Sequence, residues 1–408
     1  MLGFTLLAKA YLRGRSARIA VLLFALSPSL VTHSAEIKQY QTDVFGAVAI
    51  LLLACWVGRE RDRYSAVGLW AGFGALWIWF SHPVVFVMAG AWVQVTVGAI
   101  RRRNKHLLLR VFGVGLVWGA EFLLSYFLFL RPLTRNSYLL DYWNSGFPTG
   151  HLLQANLLWL MRTLLKSLDD PAGFSAHQIS VAPLALALVI LGVSVAWKRY
   201  RQVLWSFVTP VVLVLFAATL REYPFEGRLI LFLMPILIVL LTLGLEEIYG
   251  LRGYLRVAGV ALSTAVLAVP VTSCVVSVCR RPARESAGIR PAFEYMMGHS
   301  SDAGVSAYSQ EYSVEYYAYR SRVKPGDFIR RPITAAYGDS PTLEIGRRWY
   351  VFLKVAPEAQ EALLRKLDQQ GTCCHRFRFG DVEGFLYERQ EEGAYLKQGA
   401  VTCHDPPD

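Results

Sequence analysis

The chain has 408 residues, of which 54% are hydrophobic and only 18% are charged, and its mean hydropathy is +0.35. Soluble globular chains carry roughly 25% charged residues, so the composition excludes a water-soluble enzyme and, more strongly, a disordered chain. The net charge is +12, but no basic run is interleaved with aromatic residues, and we expect no nucleic-acid partner. The composition predicts a membrane protein with several spans and basic cytoplasmic loops.

Nine apolar segments are candidates for membrane spans. A bilayer core of about 30 Å requires roughly 17–25 apolar residues in a helix. The segments lie at 18–33, 43–58, 65–80, 83–100, 107–130, 181–197, 203–220, 228–247 and 255–278. They predict a mainly α fold, a polytopic transmembrane helix bundle of about nine spans, over residues 1–280.

Every second gap is short and basic, beginning with the segment before the first span. The cations of these gaps are Lys9, Arg13, Arg15, Arg18, Arg59, Arg61, Arg63, Arg101, Arg102, Arg103, Lys105, Lys198, Arg199, Arg201, Arg252 and Arg256. Cytoplasmic loops of membrane proteins carry such an excess of Lys and Arg, so these gaps are predicted to be cytoplasmic.

The remaining gaps are then predicted to face outward. They are 34–42, the turn at Ser81-His82-Pro83, the large loop 131–180, the segment 221–227, and the tail beyond about 280. These gaps mix both signs of charge with aromatic residues, so any chemistry is expected on this face.

Within the large loop, residues 151–168 carry leucines at helical spacing, with Arg162 and Lys166 on the opposite face. This pattern predicts an amphipathic helix that lies in the membrane interface. A helix packed against the outer domain explains the pattern equally well.

The tail, 281–408, is predicted to form a small extracytoplasmic α/β domain. Val305–Tyr308 and Trp349–Val355 have the pattern of strands, and 310–320 and 357–370 that of helices. Two further strands, 376–379 and 384–388, are expected to pair across Gly380-Asp381.

The six cysteines divide by position. Cys55 and Cys274 fall inside spans and are expected to pack there, whereas Cys279, Cys373, Cys374 and Cys403 lie on the predicted outer side, where disulfides form. A bridge from Cys403 to Cys373 or Cys374 is possible, but the sequence does not fix pairing. No CxxC or HExxH spacing occurs, and we expect no structural zinc.

The segment Glu222-Tyr223-Pro224-Phe225-Glu226-Gly227-Arg228 carries the strongest binding signal. A guanidinium where a loop enters a span can hold a phosphate or carboxylate through two parallel hydrogen bonds. The alternative is an arginine that merely extends to the interface among aromatic residues.

Other candidate site residues lie in the same set of gaps. Glu36, Lys38, Tyr40 and Asp43 combine acids, a base and a phenol that suit a hydroxyl-rich ligand, although outer loops are polar by default.

His82, Glu121, Tyr142 and Trp143 complete the set. His82 either binds substrate or caps a helix. Glu121 lies inside a span, where an ionisable group usually faces a cavity or a partner. Tyr142 and Trp143 could stack on a sugar or an isoprenoid, or belong to an aromatic belt.

Four segments occur in order: ALSPSLVTHSAEIKQYQTDV, SHPVVFVMAGAW, DYWNSGFP and YPFEGRLILFLMPILIVLL. Together they resemble the GT-C superfamily of membrane glycosyltransferases, and bacterial members similar to protein O-mannosyltransferases and lipid A aminoarabinose transferases (glycosyltransferase family 39-like). The resemblance covers roughly residues 15–280.

The resemblance implies an enzyme that transfers a sugar from a polyprenyl-phosphate donor to an envelope lipid, glycan or protein. It further implies a bacterial cytoplasmic membrane location with the reaction on the outer face. Arg228 and Lys38 would bind the donor phosphate. Glu36, Tyr40, Asp43, His82, Tyr142, Trp143, Glu222 and Tyr223 would contact substrate. No cofactor is predicted, and metal dependence stays open.

The chain departs from the family at one point. The usual catalytic Asp lies in the first outer loop after the first span, and the first outer loop here, which contains Glu36, resembles a later one. We therefore expect an N-terminally shortened sequence rather than an inactive relative. Neither Glu36 nor Asp43 is assigned as the general base.

Two other functions compete with the transferase. A non-catalytic membrane protein could bind envelope partners through its outer domain. A secondary transporter would require internal repeats or paired broken helices, and the sequence shows neither convincingly.

Overall fold

The computed structural model describes residues 1–34, 38–59, 64–148, 153–176, 179–280, 288–309, 313–324, 327–331, 346–353 and 355–389. The chain divides into two compact units, a helical unit over Met1–Arg281 and a C-terminal unit over Pro282–Asp408.

The helical unit contains fourteen α-helices within its described residues. They are α1 Leu2–Tyr11, α2 Gly14–Ala25, α3 Pro28–Ser34, α4 Tyr40–Arg59, α5 Tyr64–Ile78, α6 Val84–Arg101, α7 Lys105–Ser125, α8 Arg131–Thr134, α9 Ser137–Tyr142, α10 Leu153–Asp169, α11 Ala182–Arg199, α12 Arg201–Thr219, α13 Met234–Tyr249 and α14 Tyr254–Arg280. A π-helical turn, Tyr126–Leu130, joins α7 to α8, and a 3₁₀ segment, Gly227–Leu233, leads into α13. Two short strands of two residues each pair antiparallel: β1, Ser175–Ala176, and β2, Ile179–Ser180.

Seven described helices are long and apolar enough to cross a membrane. They are Tyr40–Gly58, Val84–Arg101, Lys105–Thr134, Ala182–Arg199, Arg201–Thr219, Gly227–Tyr249 and Gly259–Val276. The predicted first span, 18–33, is not one straight helix, because α2 and α3 meet at a bend of 50° beside Pro28. The predicted third span, 65–80, corresponds to a shorter apolar helix, Ser65–Ile78. These helices are consistent with a multi-pass membrane protein, and nine spans stays a prediction.

Two glycines allow a close contact between α11 and α13. A Cβ on Gly192 of α11 would overlap the carbonyl of Leu240, and one on Gly244 of α13 would overlap the carbonyl of Leu188. The two backbones therefore touch, and α13 lies in the core of the unit, with 83% of its span buried.

The predicted outer gaps contact one another. The Phe225 amide of the segment 221–227 donates to the carbonyl of Gly146 in the large loop at 3.0 Å. His82, in the turn before α6, lies 3.4 Å from the hydroxyl of Ser125 at the end of α7. At the other end of α13, Arg199 pairs with Glu247 at 2.8 Å. The segment before α13 thus contacts the large loop, and the basic gap after α11 lies beside the opposite end of α13. Which end faces the cytoplasm stays a prediction.

Helix α10 has the amphipathic form that its sequence predicts. Leu168 is buried, and Trp159, Leu164 and Leu165 pack against the core of the helical unit. Leu157, Leu158 and Met161 are exposed apolar side chains. One face of α10 is therefore packed and another remains open.

The C-terminal unit is built on a five-stranded mixed sheet. Its elements are α15 Ile289–His299, β3 Gly304–Tyr308, α16 Ser313–Arg320, β4 Phe328–Arg331, β5 Gly346–Leu353, α17 Pro357–Asp368, β6 Thr372–Phe379 and β7 Val382–Arg389. The strand order is β4-β3-β5-β7-β6, with β3 parallel to β4 and β5. One apolar core joins α15 and α16 to the sheet, and a second joins α17 to it.

The predicted hairpin is present, with Phe379 opposite Val382 and Gly380 at φ 57° in the turn. The sequence did not predict β4, because Phe-Ile-Arg-Arg lacks the apolar alternation of a strand. Helix α16 begins at Ser313, so the start predicted at 310 falls outside the described residues.

Candidate functional site

Arg228 stands on the 3₁₀ segment that enters α13. The chain arrives extended at Glu226, with φ −155°, and turns at Gly227, with φ 49°. This left-handed conformation is open to glycine at little cost. The turn directs the chain into the helix and places Arg228 at its beginning.

The guanidinium of Arg228 lies over two aromatic rings. Its Cζ is 5.7 Å from the ring centre of Tyr40 and 5.4 Å from that of Trp143. Its Nε is buried and has no hydrogen-bond partner, and Arg228 forms no ion pair within the described part of the chain. Aromatic faces attract the cation, but they leave its N–H donors available.

Asp43 lies one helical turn after Tyr40 on α4. Its side chain is only 5% exposed, and its Oδ1 is buried with no hydrogen-bond partner. The Ser81 hydroxyl lies beside the carboxylate, yet the Oγ of Ser81 is also buried without a normal hydrogen bond. A buried polar group without a partner is costly, so this pair is suited to a polar ligand.

Tyr223 brings the loop before α13 against α4. Its hydroxyl donates to the carbonyl of Leu229 at 2.7 Å, and its ring packs on Phe86 at 5.5 Å. Burial, with the charges of Asp43 and Tyr40 nearby, raises the pKa of the Tyr223 phenol well above its ordinary value of 10.0. The phenol therefore stays neutral.

These side chains form one group, the Arg228 cluster. Its members are Tyr40, Asp43, Ser81, Trp143, Tyr223 and Arg228. They come from four separate predicted outer gaps and the helix ends beside them. The cluster offers one cation, one buried carboxylate and flat aromatic surfaces, which suits a ligand with an anionic group and hydroxyls.

Among the described residues, four predicted site residues lie outside the cluster, namely Lys38, His82, Tyr142 and Glu222. Lys38 is exposed and makes none of these contacts among the described residues. Glu222 is exposed and accepts from the Tyr126 hydroxyl at 3.1 Å. Tyr142 is 56% exposed and packs edge-on against Trp143, with ring centres 5.0 Å apart. Glu36 falls outside the described residues.

His82 points away from its neighbour Ser81. Its Nδ1 lies 3.4 Å from the Ser125 hydroxyl of α7. Burial lowers the pKa of His82 below its ordinary value of 6.5, so the ring is neutral near pH 7. Glu121, one turn before Ser125, has a buried Oε2 without a partner. Neither side chain contacts the Arg228 cluster.

A second polar network, which the sequence did not indicate, lies next to the cluster. Glu226 accepts from the Ser145 hydroxyl through Oε2 and pairs with Lys166 of α10 through Oε1. The partners are 81 and 60 residues away in the chain. No local pattern in the sequence links such distant residues.

An apolar groove of about 370 Å³ runs between α6 and α7. Its lining includes Val85, Met88, Gly115, Trp118, Gly119 and Phe122. Only 17% of the span that contains α7 is buried within the protein. Phe86, which follows the groove residue Val85, packs on Tyr223 of the cluster, so one turn of α6 borders both features.

Among the described residues, no three His, Cys, Asp or Glu side chains lie close enough together to hold a metal ion. Cys55 and Cys274 are buried in helices, in line with the packing expected of them. The bridge considered for Cys403 falls outside the described residues, as does the side chain of Cys279.

Neither known protein-family models nor curated protein sequences match this chain.

Proposed function

We propose that this protein is a membrane glycosyltransferase of the GT-C type. It takes a sugar from a polyprenyl-phosphate donor and transfers it to an acceptor in the cell envelope, on the outer face of a bacterial cytoplasmic membrane. The observation that carries the proposal is the guanidinium of Arg228. It lies over two aromatic rings and has no carboxylate partner within the described residues.

An arginine in this setting favours a phosphate ligand. The planar guanidinium can donate two parallel hydrogen bonds to a phosphate, and its charge stabilises the negative charge that develops on a leaving phosphate. The Tyr40 and Trp143 rings, whose centres lie 5.7 and 5.4 Å from its Cζ, hold the guanidinium by cation–π attraction. Asp43 and Ser81, each with a buried oxygen that lacks a partner, would hydrogen-bond the hydroxyls of the sugar.

The apolar groove supports a lipid-linked donor rather than a soluble one. Its lining residues belong to two helices that can span a membrane, so a hydrocarbon chain suits it. A donor whose phosphate lies at Arg228 could place its prenyl chain along α6 and α7. The substrate would then enter sideways from the bilayer.

Binding of farnesyl phosphate to the detergent-purified protein, measured by titration calorimetry, tests the phosphate site. A charge-assisted hydrogen bond contributes about 1.5–3 kcal/mol, so Arg228→Gln is expected to weaken binding by about 10- to 100-fold. Arg221→Gln is the matched control, because Arg221 is an exposed cation on the same loop and contacts Asn144 at 3.3 Å. Equal affinities for the wild type and Arg228→Gln would refute the site.

Sugar transfer is tested in the native host. In a deletion strain, mass spectrometry of envelope glycans and lipids is expected to lack one sugar substituent. The wild-type gene and Arg221→Gln restore it, whereas Arg228→Gln does not. An unchanged envelope in the deletion strain would contradict the transferase.

A further inference from the structure

Glu226 is two residues from Arg228, yet its carboxylate is occupied elsewhere. Both of its oxygens have partners, the Ser145 hydroxyl on Oε2 and the Lys166 ammonium on Oε1. The Glu226 side chain is 14% exposed, whereas that of Lys166 is 54% exposed. A largely buried carboxylate is therefore neutralised by a lysine that reaches in from the surface.

The chain around Glu226 is held close to the loop that carries Trp143. The Phe225 amide donates to the Gly146 carbonyl at 3.0 Å, and a Cβ on Gly146 would lie only 2.7 Å from Pro224. From α10, the Trp159 indole donates to the Ser145 carbonyl at 3.3 Å. Helix α10 therefore contributes two contacts to this junction, one of them the lysine.

We propose that Lys166 keeps Arg228 available for an anionic ligand by holding the Glu226 carboxylate. A desolvated carboxylate near an arginine pairs with it unless another cation is closer. Without Lys166, Glu226 becomes a competitor of the ligand for the Arg228 guanidinium. Lys166 is thus a positioning residue, and its effect on donor binding rests on the function proposed above.

We expect the second substitution to reverse the effect of the first. Lys166→Gln frees the carboxylate and is expected to weaken farnesyl phosphate binding about tenfold. The double variant Lys166→Gln/Glu226→Gln has no carboxylate to compete, so its affinity returns to within about threefold of the wild type. Lys166→Arg keeps the ion pair and binds normally. Lys198→Gln, an equal loss of charge at the opposite end of the spans, controls for net charge.

A merely structural role predicts a different pattern, because removal of both partners would weaken binding at least as much as removal of one. Binding by the double variant as weak as that of Lys166→Gln, or wild-type binding by Lys166→Gln, would overturn the proposal.

A second measurement needs no lipid ligand. Phenylglyoxal modifies unpaired guanidinium groups, and mass spectrometry resolves the modification at Arg228 from that at Arg221. Lys166→Gln is expected to slow modification of Arg228 about tenfold relative to Arg221, and the double variant to restore it. If these rates follow the proposal while farnesyl phosphate fails to bind, the proposed function is wrong and the role of Lys166 stands. An unchanged Arg228 rate in Lys166→Gln overturns that role.

Discussion

The two ends of α13 differ in how a nearby arginine is partnered: one arginine has carboxylate partners and the other has none among the described residues. Beside its C-terminal end, Arg199 of α11 is 48% exposed and pairs with Glu247 at 2.8 Å and Glu246 at 3.8 Å. Before its N-terminal end, Arg228 lies over two aromatic rings, and its buried Nε has no partner among the described residues. An exposed ion pair of the first kind contributes about 0–1 kcal/mol to stability.

The difference separates a structural arginine from one suited to binding. The charge of Arg199 is balanced by the protein and by water. That of Arg228 is partly withdrawn from water without a carboxylate, an arrangement that costs free energy in the absence of a ligand. A binding site can retain an unpaired cation of this kind, because the bound anionic ligand offsets the free-energy cost of its desolvation. The two arginines therefore differ in whether an external anion can bind.

The largest expected loss of farnesyl phosphate affinity comes from placing a carboxylate beside Arg228, as Glu247 already lies beside Arg199. Trp143→Glu replaces one ring of the cluster with a carboxylate beside the guanidinium. We expect farnesyl phosphate affinity to fall about 100-fold, which corresponds to about 2.7 kcal/mol, as judged by titration calorimetry.

Asn144→Glu is the control for Trp143→Glu. It adds the same charge at the next residue, whose side chain contacts Arg221 instead, and is expected to change the affinity less than about threefold. Equal losses in the two variants would mean that the general charge of this surface, and not Arg228, governs binding.

A smaller effect is expected from filling the apolar groove. A Cβ on Gly119 meets nothing within 4 Å, and Gly119 lines the groove. Gly119→Leu is therefore expected to fold and to weaken farnesyl phosphate binding about tenfold, because it removes space for the prenyl chain. Binding of inorganic phosphate, followed by ³¹P NMR, should not change.

Gly113→Leu provides the matched helix control. Gly113 is also on α7 and also has nothing within 4 Å of its added Cβ, but it does not line the groove. Equal affinity losses for the two leucine variants would remove the groove from the binding site.

Hydropathy and chain order predicted much of the fold. Apolar segments located the long helices, and the turn at Gly380-Asp381 located the hairpin of β6 and β7. The alternation of basic and mixed gaps placed Tyr40, Trp143 and Arg228 on one predicted face, and their role in a site stays a prediction. Each of these signals is local in the chain or periodic along it, so it can be recognised from one sequence without the structure.

Features that depend on side-chain direction were not accessible from the sequence. Ser81 and His82 are adjacent, yet one lies beside Asp43 and the other contacts Ser125. Lys166 was assigned to the polar face of its helix, and its pairing with Glu226 joins residues 60 positions apart. Tertiary packing decides such contacts.

The most direct test is an experimental structure of the protein with farnesyl phosphate in a lipid nanodisc. The account predicts a phosphate oxygen within about 3.2 Å of a guanidinium nitrogen of Arg228, with the prenyl chain along α6 and α7. A phosphate bound at another cation, with the Arg228 guanidinium paired to a carboxylate of the protein, would contradict it.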